Sequence, residues 1–145
     1  MNREIGTISA FSLGKPRFKD ASSAQIARQE GDAAAWERAF REKGMFAPAS
    51  VAGDFAIGLR DVGGRTFLAV DRFAIRSLCY RQVGDQLLFA ERADELADAT
   101  VEIDPQAVFD YFYFHVIPSP RTIYKGIYRV PPGHCVLFEN GQTRV

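Results

Sequence analysis

The sequence predicts an α+β domain in which antiparallel sheet layers are flanked by helices, and three observations carry that expectation. Three short runs, 53–61, 66–78 and 87–90, place apolar residues at every second position. Turn-forming Gly63-Gly64 and Gly84-Asp85 separate them, which is the pattern of an antiparallel meander. Two other stretches, 22–44 and 104–116, carry helix start signals and apolar residues at helical spacing. A length of 145 residues, 47% hydrophobic and 25% charged, is enough for one domain with a proper core.

Residues 5–11 alternate Ile5, Thr7, Ser9 and Phe11 against Gly6, Ile8 and Ala10 and read as a first strand. Gly6 and Ala10 suit close approach within a sheet. Residues 13–20, with Gly14 and Pro16, read as a connector. Ser22-Ser23-Ala24-Gln25 then matches a capping box, in which the Ser22 hydroxyl and the Gln25 amide satisfy the first free amides of a helix. Gly31 interrupts or ends that helix. Asp32 can cap a second one, running through Trp36 and Phe40 to Gly44. Ala33, Trp36, Ala39 and Phe40 share one stripe opposite Glu37, Arg38, Arg41 and Glu42, so they are expected in the core. Residues 45–52, with Pro48, form a linker to the meander.

In the first run of the meander Phe55, Ile57 and Leu59 share one face, and Asp54, Ala56, Gly58 and Arg60 the other. The small residues leave room for a second layer, so packing on both sides is expected. Residues 91–98 read as a short helix. Asp104-Pro105 starts the next one, with Asp104 capping and Pro105 placed where a missing N–H costs nothing. Its body, 106–116, is crowded with Phe109, Tyr111, Phe112, Tyr113 and Phe114. A helix apolar all round is expected to be buried on most sides, and so little chain remains to cover this one that a missing neighbour is expected. Pro118-Ser119-Pro120 ends it. An aliphatic and aromatic stretch, 123–130, follows, then a turn at Pro131-Pro132-Gly133 and a hairpin of 134–138 with 143–145 around Glu139-Asn140-Gly141. The aromatic helix face and this stretch supply a candidate interface: Phe109, Phe112, Tyr113, Ile123, Tyr124, Ile127 and Tyr128.

Composition excludes several classes. Lys plus Arg and Asp plus Glu are 18 each, leaving no electrostatic footprint for nucleic acid or an acidic membrane. No apolar run reaches the roughly 18 residues of a membrane span, and no signal peptide opens the chain, so a cytoplasmic protein is expected. Cys79 and Cys135 lack metal-ligand spacing and read as free thiols in a reducing compartment. His115 and His134 have no second ligand at metal spacing, so no metal site is expected. Neighbours in a strand point apart, which excludes a His134–Cys135 dyad. His134 is expected to hydrogen-bond within its turn, and Asp71 to satisfy local backbone amides. No Gly-x-Gly-x-x-Gly or P-loop pattern is present.

Four motifs in order carry a resemblance. They are Gly53-Asp54-Phe55-Ala56; Leu68-Ala69-Val70-Asp71-Arg72-Phe73-Ala74-Ile75-Arg76-Ser77-Leu78-Cys79-Tyr80; Leu88-Phe89-Ala90-Glu91; and Ile123-Tyr124-Lys125-Gly126-Ile127-Tyr128-Arg129-Val130-Pro131-Pro132-Gly133-His134. Together they resemble the amino-terminal, class II glutamine amidotransferase domain of asparagine-synthetase-like proteins. The resemblance implies an N-terminal-nucleophile-type fold, here in degenerate form. It covers 51–145, while 1–50 diverge and are shortened. The chain departs from the family pattern at Ala74 for a glycine, Ser77 for a proline, Cys79 for a tyrosine and Glu91-Arg92 for a Ser-Glu pair.

In that family a terminal cysteine attacks glutamine, its own α-amine serving as base. This chain opens Met1-Asn2-Arg3, and the family's glutamine-gripping motifs are not recognisable before Ser50. No catalytic, cofactor-binding or metal-binding residue is therefore carried over, and a glutaminase-inactive domain is expected. Gly6-Thr7 resembles an autoprocessing junction that would free Thr7, a reading that stays open beside that of Thr7 as a strand residue.

The resemblance implies an ATP-using synthetase domain beyond Val145, holding ATP and magnesium, with no cofactor in this chain. Such a ligase adenylates a carboxylate and lets an amine displace AMP. With the amine drawn from the substrate, it would form an intramolecular amide, as in lasso-peptide macrolactam closure. Expected partners are the synthetase domain in cis, a substrate peptide or a second copy of the chain, with no nucleic acid and no membrane. Two alternatives remain: part of a glutamine-hydrolysing asparagine synthetase, and a free-standing peptide- or protein-binding module.

Overall fold

The computed structural model describes residues 9–145; Met1-Asn2-Arg3, the Gly6-Thr7 junction and the first half of the expected 5–11 strand lie outside them. Strands β1 (Ser9–Gly14) and β2 (Arg17–Phe18) precede helices α1 (Ala21–Glu30) and α2 (Asp32–Lys43). A 3₁₀ segment, Gly44–Ser50, leads into β3 (Val51–Ala52), β4 (Phe55–Arg60), β5 (Thr66–Val70), β6 (Cys79–Val83) and β7 (Gln86–Ala90). A 3₁₀ turn, Ala93–Leu96, comes before α3 (Pro105–Phe114), and β8 (Ile127–Arg129), β9 (Cys135–Glu139) and β10 (Gln142–Arg144) complete the chain. The architecture is α+β, with antiparallel sheets of five strands (β1-β4-β5-β9-β10), three strands (β7-β6-β8) and two strands (β2-β3).

These elements stack in layers around β4 and β5. Phe55, Ile57 and Leu59 join Phe67 and Leu137 on one face, where α2 supplies Ala35, Trp36 and Ala39. The aromatic stripe of α2 faces inward as its spacing predicts: Trp36 is fully buried against Phe18 and Phe55, and Phe40 stacks on Phe67. On the opposite face Ala56, Leu68, Val70, Val136 and Phe138 meet Tyr80 and Leu87 of the smaller sheet. Gly58 is what allows that approach, because a Cβ there would collide with the Phe89 ring. Each fully buried Leu, Ile or Phe in these two layers contributes about 1.5–3 kcal/mol. A third cluster, Cys79, Leu96 and Ile127, covers the outer side of the smaller sheet.

Several expectations need correction. The meander is split: β4 and β5 pair, but the far edge of β5 is taken by β9, and β7 belongs to the other sheet. The strand expected over 66–78 stops at Val70. There the buried Asp71 turns the chain, its Oδ2 accepting from the Phe55 amide at 3.1 Å and its Oδ1 from the Phe73 amide at 2.9 Å. The chain then crosses to the second sheet and starts β6, a strand the alternation did not reveal. Asp71 thus does the local work expected of it.

At α1 the cap is Asp20 rather than Ser22. The Asp20 carboxylate accepts from the Ser23 amide at 2.9 Å, and the Ser22 hydroxyl itself donates to it at 3.0 Å. An ionised acceptor outcompetes a hydroxyl for a helix amide. Gly31, in a left-handed backbone, closes α1 and precedes α2, so Asp32 is the first helical residue and not the cap. The connector expected over 13–20 contains the end of β1 and all of β2, and the linker over 45–52 is mostly 3₁₀. Asp104 caps α3 as expected, accepting from the Gln106 amide at 2.9 Å. Asn140 and Gly141 take positive φ at the β9–β10 turn, as Asn-Gly predicts. Among the described residues no helix is long and apolar enough to cross a membrane.

Candidate functional site

The expected burial of α3 on most sides does not occur within this chain. Only Ala107 and Asp110 are buried, on the side facing the body. Phe109, Phe112 and Tyr113, spaced three and four apart, share a face and remain 60%, 76% and 70% exposed. The rings of Phe109 and Tyr113 stack at 6.1 Å, and Tyr113 meets Phe114 edge-on at 4.8 Å. Such a contiguous aromatic surface is unusual on a free-standing soluble domain.

The remaining candidate interface residues divide. Ile123 and Tyr124 are half-buried beside the start of α3, through the Ile103–Tyr124 bridge and the Asp104 amide bonded to the Ile123 carbonyl at 2.8 Å. Ile127 is fully buried with Cys79 and Leu96, so it belongs to the core and cannot be a contact residue. Its neighbour Tyr128 points the other way in β8 and meets Tyr80 at 5.8 Å. Burial, reinforced by that neighbour, pushes the Tyr80 phenol above its usual range. A cavity of about 420 Å³ opens beside the pair, bordered by Pro120, Gly126, Gln82 and Thr143.

A larger groove, about 860 Å³, lies beside the Asp71 turn and was not foreseen. Phe46, Phe73 and Ile75 border it with their side chains largely in water, and Lys19 and Arg72 lie among them. Asp54, on the same rim, faces Arg76 at 3.8 Å. Ala74, between Phe73 and Ile75, sits at φ 47°, a left-handed conformation that costs a residue with a Cβ. The available signal was two large apolar residues flanking Ala74, where the resemblance implies a glycine.

Neither cysteine is activated. Cys79 Sγ faces the Glu91 carbonyl at 4.0 Å and Cys135 Sγ the Met45 carbonyl at 3.6 Å. Burial raises both thiol pKa values above their ordinary range, which suppresses the thiolate. His134 lies in its turn as expected, Nδ1–H donating to the Pro132 carbonyl at 2.8 Å. Among the described residues no group of three or more His, Cys, Asp or Glu side chains is placed to hold a metal ion.

Comparison with known proteins places this geometry. A family described as "Glutamine amidotransferase domain" matches residues 16–145. Asparagine synthetase [glutamine-hydrolyzing] 1 of Bacillus subtilis (strain 168) is 36% identical over 67 residues, which is 45% of this chain and 11% of that protein. The match thus spans about a tenth of that relative's length. With the family covering nearly all of the described fold, this chain belongs to the glutamine amidotransferase domain family.

Proposed function

We propose that this glutamine amidotransferase-type domain serves an asparagine-synthetase-related, ATP-dependent amide ligase as a docking and recognition module rather than as its source of ammonia. The observation that carries the reading is the exposed face of Phe109, Phe112 and Tyr113. The occupant is a synthetase domain of the same polypeptide, which would bring the ATP and magnesium; a substrate peptide or a second copy of the chain are the other candidates. Neither cysteine of the described fold supplies an activated thiol, since burial raises both pKa values and each Sγ faces only a backbone carbonyl. The amine would then come from the substrate itself, as in intramolecular macrolactam closure of lasso-peptide type.

The test is glutamate release by the whole protein supplied with glutamine, ATP and magnesium, with and without a glutamine-mimicking diazoketone. The expected result is no release above background. A release abolished by the alkylator would instead establish a second reading, in which the protein hydrolyses glutamine. The name of the Bacillus subtilis relative favours that reading.

A further inference from the structure

We propose that the groove beside the Asp71 turn binds a small monocarboxylate with an apolar body, the carboxylate held by Lys19 and Arg72 and the body lying on Phe46, Phe73 and Ile75. This site shares no residue with the aromatic face of α3.

Size, surface and charge all point to such a ligand. The open groove, of about 860 Å³, has room for a small organic molecule. Its bordering apolar side chains are among the most exposed on the molecule, Phe46 at 79% and Phe73 at 76%. An apolar body laid against them would take that surface out of water. The rim sets Lys19 and Arg72 against Asp54 and Asp71, but both carboxylates are engaged elsewhere. Asp71 is saturated by the Phe55 and Phe73 amides, and Asp54 faces Arg76. Among the described residues no carboxylate lies within ion-pair distance of Arg72 or Lys19, and the Lys19 ammonium donates only to the Ala49 carbonyl, at 3.2 Å. An anion is therefore the complement, and a guanidinium takes a carboxylate through two parallel hydrogen bonds.

The turn itself supports a built site. Asp71 fixes it from below, and Ala74 holds a left-handed backbone between Phe73 and Ile75. Strain of this kind concentrates where a chain is held for a ligand.

The test titrates the full chain with sodium octanoate, followed by calorimetry and backbone amide shifts. Saturable binding is expected, with shifts at Lys19, Phe46, Arg72 and Phe73. Octanol and octylammonium, which keep the body but lose the anion, should bind at least about tenfold more weakly. Arg72→Gln and Lys19→Gln should each weaken octanoate roughly tenfold, as should Phe73→Ser. These positions are solvent-facing, so thermal unfolding should show the variants folded, and Phe46→Ser serves as a second apolar variant. Equal binding of octanol and octanoate, shifts confined to α3, or no saturable binding would overturn the proposal. Any of those results would leave the docking reading of α3 standing.

Discussion

The Nη1 of Arg121 donates to Oδ2 of Asp110 at 3.1 Å, and this bond fastens α3 to the body of the domain. Asp110 is the buried polar residue of that helix and also accepts from the Gln106 amide nitrogen at 2.8 Å, while Arg121 Nε pairs with Asp104, the helix cap, at 3.1 Å. One guanidinium thus holds both the start and the middle of a helix whose other faces are aromatic and exposed.

Asp110→Ala is therefore expected to lower stability by about 1 kcal/mol, since it removes the mid-helix acceptor of Gln106 and Arg121 while Arg121 keeps Asp104 and both donors can reach water. Arg121→Gln should cost more, about 2 kcal/mol, because it leaves the buried Asp110 carboxylate and the Asp104 cap without their shared cation, the exposure of Arg121 keeping the loss below that of a fully buried pair. Urea unfolding measures both. Hydrogen exchange over 105–114 should rise first in each variant, and unchanged protection there would show that α3 is anchored by other means.

Gly58 and Phe89 form a second coupled pair, across the two sheets. A methyl group at Gly58 collides with the Phe89 ring, which also sits beneath Arg60 at 5.5 Å and beside Phe11 at 6.4 Å. Gly58→Ala should cost about 1–3 kcal/mol through overpacking. Adding Phe89→Leu should recover part of the loss, so the double variant is less destabilised than the sum of the singles. Strict additivity in thermal unfolding would show that the layers are not in contact at this point.

How much of this could be read from residues follows from the range of each interaction. The α2 stripe, the Asp104 cap, the small face of β4 and the Asn-Gly hairpin are set by neighbours in sequence, and each stands where its pattern placed it. The partner of β5 was not legible, because β9 lies more than sixty positions onward and period-two alternation does not say which strands pair. Of the seven candidate interface residues, Ile127 is excluded by burial that is decided at long range. Ile127 is covered by Leu96 and Cys79, neither of them a sequence neighbour. The groove at Arg72 was not legible because its walls come from segments distant from the turn in sequence, Met45, Phe46 and Pro48 before it and Gly133, His134 and Cys135 after it.

The cap of α1 makes stability depend on acid. Hydrogen bonds from Ser23 and Ser22, with Lys43 at 3.4 Å, hold the Asp20 carboxyl well below the usual carboxylate range. A depressed folded pKa means the stabilisation is complete above the unfolded value near 4 and is lost as pH falls toward the folded one. Asp20→Ala should therefore cost about 1 kcal/mol at pH 7. The gap from wild type should close steadily as the pH is lowered below about 4. A gap independent of pH in urea titrations would mean that the charge of Asp20 contributes nothing.

Ala74 offers a substitution expected to stabilise. Its φ of 47° costs an alanine about 1–2 kcal/mol, whereas glycine adopts this backbone freely. Glycine also adds entropy to the unfolded chain, which takes back about 0.5–1 kcal/mol. Ala74→Gly should therefore raise stability by about 0.5–1 kcal/mol, a shift of a few degrees in thermal midpoint for a domain of this size. If the turn holds Phe73 and Ile75 in place for a ligand, the same change loosens it, and octanoate affinity should fall while the midpoint rises. Stability and affinity rising together would show that the strain serves neither the groove nor its occupant.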